Sequence, residues 1–225
     1  MTPRTETDDA LPVDPEPDRR HRRGMDISTT PRSRTDRFPV RPLALILTRW
    51  PSLVGLIALV ASSAGGLAPG TTAMIITLAA LCYLVAAAVG RRAAAWIAVP
   101  ALGAVVLGAG VLGLDPVPML VITAVPVAGA GLVRAGRAER TGRREVLRQA
   151  AAFAAFAGVA LVALSLDPLP AAHLAALLTV GHAVWDLVHH RRDRGVSRSL
   201  TEFCAVLDLG LGVVTLGAAW LGHLG

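Results

Sequence analysis

Seven residues close to the C-terminus have side chains that could hold a proton or a metal ion. Imidazole and carboxylate groups occur first at i, i+4, i+7 and i+8, as His182, Asp186, His189 and His190. This spacing puts them on one face of a helix. After a short Arg-rich linker come Glu202, Cys204 and Asp208. Because the linker is short, the two segments are predicted to be antiparallel neighbouring helices with their polar groups at similar depths.

The depth of Asp208 predicts a partner for its carboxylate. At 1.5 Å per residue, Asp208 and His182 both lie roughly 10–12 Å from the polar ends of their helices. An Asp that faces lipid at such a depth costs roughly 2.5–3.5 kcal/mol. We therefore expect Asp208 to point inward and His182 to face it, either directly or across a shared cavity.

Three interpretations of this cluster remain open. In the first, its groups are structural, as anchors at headgroup level and as internal ion pairs. In the second, the pair of Asp208 and His182 handles protons or a small solute, as buried Asp/His pairs do in transporters. In the third, the cluster binds Zn or Fe, which its ligand types suit. The weak candidates for metal ligands are His182, Asp186, His190 and Asp208.

The cluster does not amount to a recognisable active site. No nucleophile–base pair and no complete ligand set is visible in the sequence, so no catalytic residue and no cofactor is predicted, with Zn or Fe as the alternative. A structural or interaction role is favoured over catalysis. A proton-coupled or small-solute transporter and a metal-dependent membrane enzyme are the alternatives.

The cluster belongs to the last two of seven apolar stretches. They cover about 51–68, 70–90, 93–114, 117–133, 150–166 and 169–188, and the last runs from between 200 and 203 to about 221. Each is about 17–22 residues long, enough to cross the hydrocarbon core as a helix. The stretch from 71 to 90 has no charge and no polar stripe, which argues against a soluble bundle. The predicted fold class is therefore all-α, a polytopic bundle of about seven transmembrane helices built largely as hairpins.

The basic residues predict the orientation of these helices. All 22 are arginines, and those that follow the first apolar stretch lie in three loops, which contain Arg91 and Arg92, residues 134–148, and residues 191–198. The intervening turns carry Asp115 and Asp167 and no Arg. Because Arg accumulates in cytoplasmic loops, the N-terminus is predicted inside and the C-terminus outside the cell (inner) membrane. The absence of Lys, together with abundant Ala and Gly, indicates a GC-rich bacterial genome.

The same distribution predicts the partners. The net charge of +6 follows from membrane topology, so nucleic-acid binding is not predicted. The lipid bilayer is the expected partner, with anionic lipids at the cytoplasmic Arg loops. Small residues on the helix surfaces would also permit a homo-oligomer.

The N-terminal region differs from the rest of the chain. Residues 1–41 are rich in Pro, Asp, Thr and Arg and are predicted to form a disordered cytoplasmic tail. Residues 42–225 are predicted to form the transmembrane domain. Met25 follows an Arg-rich run and is an alternative start of translation to Met1.

The two segments of the polar cluster resemble the C-terminal part of uncharacterised multi-pass actinobacterial membrane proteins. The resemblance rests on the pattern HxxWDxxHHRRDR from His182 to Arg194 and on SxxEFCAxxD ending at Asp208. It implies a lineage and a membrane location, without an activity. The predicted topology is also similar to that of the hemolysin III-like and ceramidase-like hydrolases. Those place Ser and His in an early helix and HxxxH in the last, whereas the early helices here have no His and the last has only His223, so that match is rejected.

Overall fold

The computed structural model of the protein describes residues 48–64, 68–136 and 140–222. Within these ranges the chain forms seven α-helices and no strand. They are α1 (Trp50–Ala64), α2 (Pro69–Val89), α3 (Ala94–Val111), α4 (Pro116–Gly136), α5 (Arg140–Leu164), α6 (Pro168–Arg192) and α7 (Arg198–Trp220). The predicted all-α fold is confirmed. The predicted tail, residues 1–41, lies outside the described residues.

Six of the described helices, α2 to α7, are long and apolar enough to cross a membrane. The first helix is shorter than the sequence predicted. α1 has 15 residues and ends at Ala64, four residues before the predicted end, and residues 65–67 lie outside the described ranges. At 1.5 Å per residue α1 is roughly 22 Å long, less than the hydrocarbon thickness.

The Arg-rich segment between the fourth and fifth helices corrects the predicted boundaries. It was expected to be a loop over 134–148, but α4 continues to Gly136 and α5 begins at Arg140. The reason is that Val146 and Gln149 face the interior, where both are essentially fully buried. The arginines in this part of α5 remain exposed, namely Arg140, Arg143, Arg144 and Arg148. The segment is therefore an amphipathic extension of α5.

Three of the described helices begin at a proline, and two of these prolines follow an aspartate. α2, α4 and α6 begin at Pro69, Pro116 and Pro168, where the missing N–H of proline costs nothing. Before α4, the Asp115 Oδ1 atom accepts a hydrogen bond of 2.9 Å from the backbone N–H of Val117. Before α6, the corresponding aspartate makes no such side-chain cap. The two similar Leu-Asp-Pro turns therefore differ in how they cap their helices.

One end of the bundle collects the α2–α3, α4–α5 and α6–α7 connections, and we call it the Arg-rich end. Here Arg92 of the α2–α3 turn lies 3.1 Å from Asp193 of the α6–α7 turn. Arg134 of α4 donates from Nε to the Ala88 carbonyl oxygen at 2.5 Å. These contacts fasten α4, α6 and α7 around the end of α2.

α2 occupies the centre of the bundle and contacts α3, α4, α5, α6 and α7. Its buried side chains point in every direction around the helix. α6 and α7 form the most extensive helix pair, and α1 packs on the outer side of α7. Side chains of α2, α6 and α7 meet in the interior, where Tyr83, His182, Asp186 and Asp208 lie.

Candidate functional site

His182 on α6 and Asp208 on α7 form a direct pair. His182 Nδ1 lies 2.7 Å from Asp208 Oδ2, and both side chains are fully buried. The pairing predicted from helix depth is confirmed. At 1.5 Å per residue, both residues lie roughly 15 Å along their helices from the Arg-rich end. The pair therefore sits near the middle of the bundle.

Asp186 extends the pair by one helical turn on α6. Its Oδ2 atom lies 3.3 Å from His182 Nδ1, and its side chain is also fully buried. Its other oxygen, Oδ1, accepts a hydrogen bond from the phenol of Tyr83 on α2. Three helices thus contribute to one cluster, the buried tetrad of Tyr83, His182, Asp186 and Asp208.

Sequence reasoning did not assign Tyr83 to this cluster. It is the only tyrosine of the chain, in a stretch without charge. That was the one signal available, since a single hydroxyl in an apolar helix does not reveal which neighbour it faces.

The hydrogen bonding of the tetrad is incomplete within the described part of the chain. His182 Nε2, Asp186 Oδ2 and Asp208 Oδ1 are buried without a hydrogen-bond partner. Asp186 Oδ2 is near His182 Nδ1, but the geometry there is that of a charge contact and not of a hydrogen bond. Buried polar groups are nearly always paired. Three open atoms in one cluster therefore indicate a site that can accept something more.

The charges of the tetrad are also unbalanced. With both carboxylates ionised and the imidazole protonated, the net charge of the tetrad would be −1. No arginine is among the buried residues that the structure describes. An uncompensated buried charge costs several kcal/mol. One more positive charge, a proton or a cation, would neutralise the cluster.

Aromatic rings isolate the tetrad from lipid. The Phe156 ring lies 4.9 Å from the His182 imidazole, centroid to centroid, and meets it edge-on. Tyr83 meets the same imidazole edge-on at 5.8 Å. Cys204, one turn before Asp208, is buried beside them. These contacts fix the imidazole plane and keep the local dielectric low, which strengthens every electrostatic interaction in the cluster.

Three of the four predicted metal candidates come together. One ligand atom from each of His182, Asp186 and Asp208 lies within 4.8 Å of the others. Imidazole nitrogen and carboxylate oxygen suit Zn or Fe. His190 does not join them: its Nδ1 atom lies 2.9 Å from Thr201 Oγ1. Metal binding at the other three residues stays a prediction.

A second polar group lies between the tetrad and the Arg-rich end. His189 Nε2 is 3.3 Å from Gln149 Nε2 and 3.4 Å from an Arg148 nitrogen. Gln149 in turn donates to Glu145 Oε1 at 2.9 Å. We call Glu145, Arg148, Gln149 and His189 the Arg-end network. It reaches the surface because the Arg148 and Glu145 side chains are 40% and 34% exposed.

Tyr83 connects the Arg-end network to the tetrad. Its ring lies 5.2 Å from the His189 imidazole, centroid to centroid, while its hydroxyl bonds Asp186. Sequence reasoning missed Gln149, which is the only glutamine of the chain and lay in a segment predicted as a loop. Its burial becomes understandable only once α5 is known to begin at Arg140.

The opposite half of the bundle has a different character. Among the described residues, the buried polar side chains beyond the tetrad on that side are threonines. Thr179 donates to the Ala176 carbonyl, and Thr77 to the Ala73 carbonyl. Thr72 and Thr215 pair with each other at 3.3 Å. Their hydroxyls are satisfied locally, whereas the buried imidazole of His189 lies on the side of the tetrad toward the Arg-rich end.

Glu202, predicted as part of the constellation, serves a different contact. Its Oε1 atom accepts a 2.5 Å hydrogen bond from Ser52 Oγ and lies 3.5 Å from Arg49. It therefore fastens α1 to α7, apart from the tetrad. No side chain of α1 contributes to the tetrad in the described structure.

Comparisons with known proteins give no assignment to set beside this geometry. No protein-family model matches the chain, and neither a curated protein nor a solved structure is significantly similar to it. The resemblance to actinobacterial membrane proteins stays a prediction. The function must therefore be argued from the site.

Proposed function

We propose that this multi-pass membrane protein binds and releases a proton at the buried tetrad as part of a proton-coupled process. The observation that carries the proposal is the composition of the tetrad. Two fully buried carboxylates share one imidazole and one phenol, which leaves the cluster one positive charge short. A proton is the smallest charge that restores neutrality.

Buried polar atoms without a hydrogen-bond partner favour this proposal over a purely structural role. A structural polar cluster stabilises a bundle best when every member is satisfied. Here His182 Nε2, Asp186 Oδ2 and Asp208 Oδ1 have no partner in the described structure. A proton shared between the carboxylates would use the two open oxygens. Intramembrane ionisable groups that face the bundle interior mark proton relays in pumps and transporters.

The ligand count is compatible with a bound metal, but a proton is the simpler occupant. A protein zinc site has about four ligands, of which three or more come from side chains. His182, Asp186 and Asp208 supply three, and the remaining neighbour, the Tyr83 hydroxyl, already donates to Asp186. A proton needs no further ligand, because a hydrogen bond joins only two of the atoms already present.

The Arg-end network supports access from one side. Glu145 and Arg148 reach solvent, and Gln149 and His189 continue inward to the ring of Tyr83. Because arginines collect in cytoplasmic loops, we assign the Arg-rich end to the cytoplasm and the C-terminus to the outside. A proton would then reach the tetrad from the cytoplasmic side.

This orientation has a direct test. A phosphatase that is active only outside the cytoplasm, fused after Gly225, should be active, and a green fluorescent protein at the same place should be dark. A fluorescent fusion would place the C-terminus inside and remove one membrane crossing, with α1 the first candidate because of its 15 residues.

Proton flux tests the function itself. The full-length protein is reconstituted into liposomes with a pH-sensitive dye, and a pH step is applied across the membrane. The wild type should carry protons, and Asp208→Asn should reduce the rate at least about tenfold, because the amide cannot take up the proton. Glu202→Gln is the matched control, since it neutralises an acidic side chain of the same helix outside the tetrad.

Two results would overturn the proposal. Equal rates for the wild type, Asp208→Asn and protein-free liposomes would exclude proton movement through the tetrad and leave a structural role. Stoichiometric Zn or Fe in the purified wild type, lost in Asp208→Asn, would replace the proton by a metal.

A further inference from the structure

A second feature of the molecule lies away from the tetrad, on the surface between α4 and α5. A groove of about 320 Å³ runs between these helices, with α2 beneath it, and its lining is apolar. Leu84, Phe153 and Ala157 form part of its floor and are buried. Val125 and Leu161 form part of its rim and are exposed. The groove is therefore open along its side, where a transmembrane helix meets lipid.

Small residues on α5 create the groove. Ala150, Ala154 and Gly158 follow one another at i, i+4 and i+8, which places them in one row on the helix. A Cβ atom added at Gly158 would meet nothing within 4 Å. Space for a larger side chain is therefore present but unused.

The length of the groove matches one lipid leaflet. From Ala150 to Leu161 the lining covers 11 residues of α5, roughly 16 Å at 1.5 Å per residue. Half of a hydrocarbon core of ~30 Å is about 15 Å. The groove begins at Ala150, the lining residue of α5 nearest to the Arg-rich end, and runs from there toward the outer end of α5.

An exposed arginine lies above the groove at this end. Arg143 precedes Ala150 by seven residues, so it lies on the same face of α5 and roughly 10 Å closer to the Arg-rich end. It is exposed, and in the described structure it makes no hydrogen bond or ion pair. In contrast, Arg148 pairs with Glu145, and Arg134 bonds the carbonyl oxygens of α2. Arg143 is thus available to an anionic headgroup.

We infer that this groove binds one acyl chain of an anionic phospholipid, with the phosphate on Arg143. Basic positions between transmembrane helices on the cytoplasmic side recognise anionic headgroups in this way. The alternative occupant, a second copy of this chain, fits the charges less well. A two-fold dimer packed on α5 would bring Arg143 close to the same residue of the second copy, whereas a lipid phosphate neutralises it.

Native mass spectrometry of the purified full-length protein tests this inference, with phosphatidylglycerol and phosphatidylcholine as the probes. The wild type should retain one phosphatidylglycerol per protomer in preference to phosphatidylcholine. Gly158→Leu fills the groove and should weaken phosphatidylglycerol binding about tenfold or more. Arg143→Gln should weaken it about fivefold, the effect of one arginine near an anionic headgroup, and abolish the preference.

Gly108→Leu on α3 is the matched control. Gly108 is exposed, and a Cβ there also meets nothing within 4 Å, but it does not line the groove. This variant should bind lipid like the wild type, and circular dichroism should show that both leucine variants remain folded. Unchanged binding by Gly158→Leu would overturn the inference. So would a dimer in the wild type that Gly158→Leu converts to a monomer, because the groove would then hold a second copy.

Discussion

The α3–α4 hairpin and the α6–α7 hairpin are built from helices of similar length, but they differ in burial and in their content of ionisable residues. In the apolar windows of α3 and α4, 22% of residues are buried, against 44% in α6 and 39% in α7. α3 contains no ionisable residue, and α4 contains only Arg134, at its Arg-rich end. α6 and α7 carry His182, Asp186 and Asp208 deep in the bundle.

The difference shows that apolar length predicts a membrane-spanning helix but does not predict whether that helix can carry ionisable residues. In both hairpins about 20 apolar residues suffice to predict a span. Most of the α3–α4 surface faces outward, where a carboxylate would have no partner and would cost roughly 2.5–3.5 kcal/mol. α6 and α7 are covered by α2 and by each other, so ionisable groups there can find partners. A function that needs charge within the membrane is therefore confined to the covered hairpin.

The largest effect is expected from removing the centre of the tetrad. His182→Ala leaves Asp186 and Asp208 buried without their shared imidazole, and breaking a buried pair in this way costs about 3–5 kcal/mol. In the uncovered hairpin, Leu107→Ala should change stability by less than about 0.5 kcal/mol, since Leu107 is 73% exposed. Unfolding of the purified variants in detergent measures both.

A double variant shows whether the stability lost in His182→Ala comes from unpaired charge or from the cavity that the substitution leaves. Adding Asp208→Asn to His182→Ala removes one uncompensated charge, so the double variant should be more stable than His182→Ala alone. If His182→Ala is as mild as Leu107→Ala, the two hairpins do not differ in the way described.

Glycine positions give a smaller effect of opposite sign in the two hairpins. A Cβ at Gly212 on α7 would lie 2.7 Å from Thr179 Oγ1 and 3.3 Å from the Ala176 carbonyl oxygen of α6. Gly212→Ala should therefore force α6 and α7 apart and cost about 1–3 kcal/mol. At Gly103 on α3 a Cβ meets nothing within 4 Å, so Gly103→Ala should stabilise by about 0.5–1 kcal/mol. Equal shifts of the melting temperature for both variants would contradict the close α6–α7 contact.

A smaller effect on stability than that of His182→Ala is expected for the phenol that joins α2 to the covered hairpin. Tyr83→Phe keeps the ring contacts with His182 and His189 but removes the hydrogen bond to Asp186. A net loss of about 1.5–3 kcal/mol is expected for a hydrogen bond to a charged group. Proton flux should fall more clearly than stability, since this hydroxyl is the hydrogen-bond partner of Asp186 within the tetrad. A variant that keeps the wild-type flux would remove Tyr83 from the path.

The sequence was sufficient to predict the helices and one part of the tetrad, the pair of His182 and Asp208. Apolar length predicted α2 to α7, and the depth of Asp208 predicted its pairing with His182. Tyr83 was missed because α2 is apolar on every side, so its sequence does not show whether a face meets protein or lipid. The sequence also grouped His190 with His182, but the two side chains point in different directions on α6. Eight residues turn a helix about 80° beyond two full turns, which directs His190 to Thr201.

Infrared spectroscopy of the full-length protein at neutral pH tests the central claim most directly. Exposed carboxyl groups ionise near pH 4, so a protonated carboxyl band at pH 7 reports a proton held in the interior. We predict that the wild type shows one such band and that Asp208→Asn and Asp186→Asn remove or shift it, while Glu202→Gln leaves it unchanged. A wild type without the band, or a band that persists unchanged in both tetrad variants, would contradict the proposal that the tetrad holds a proton.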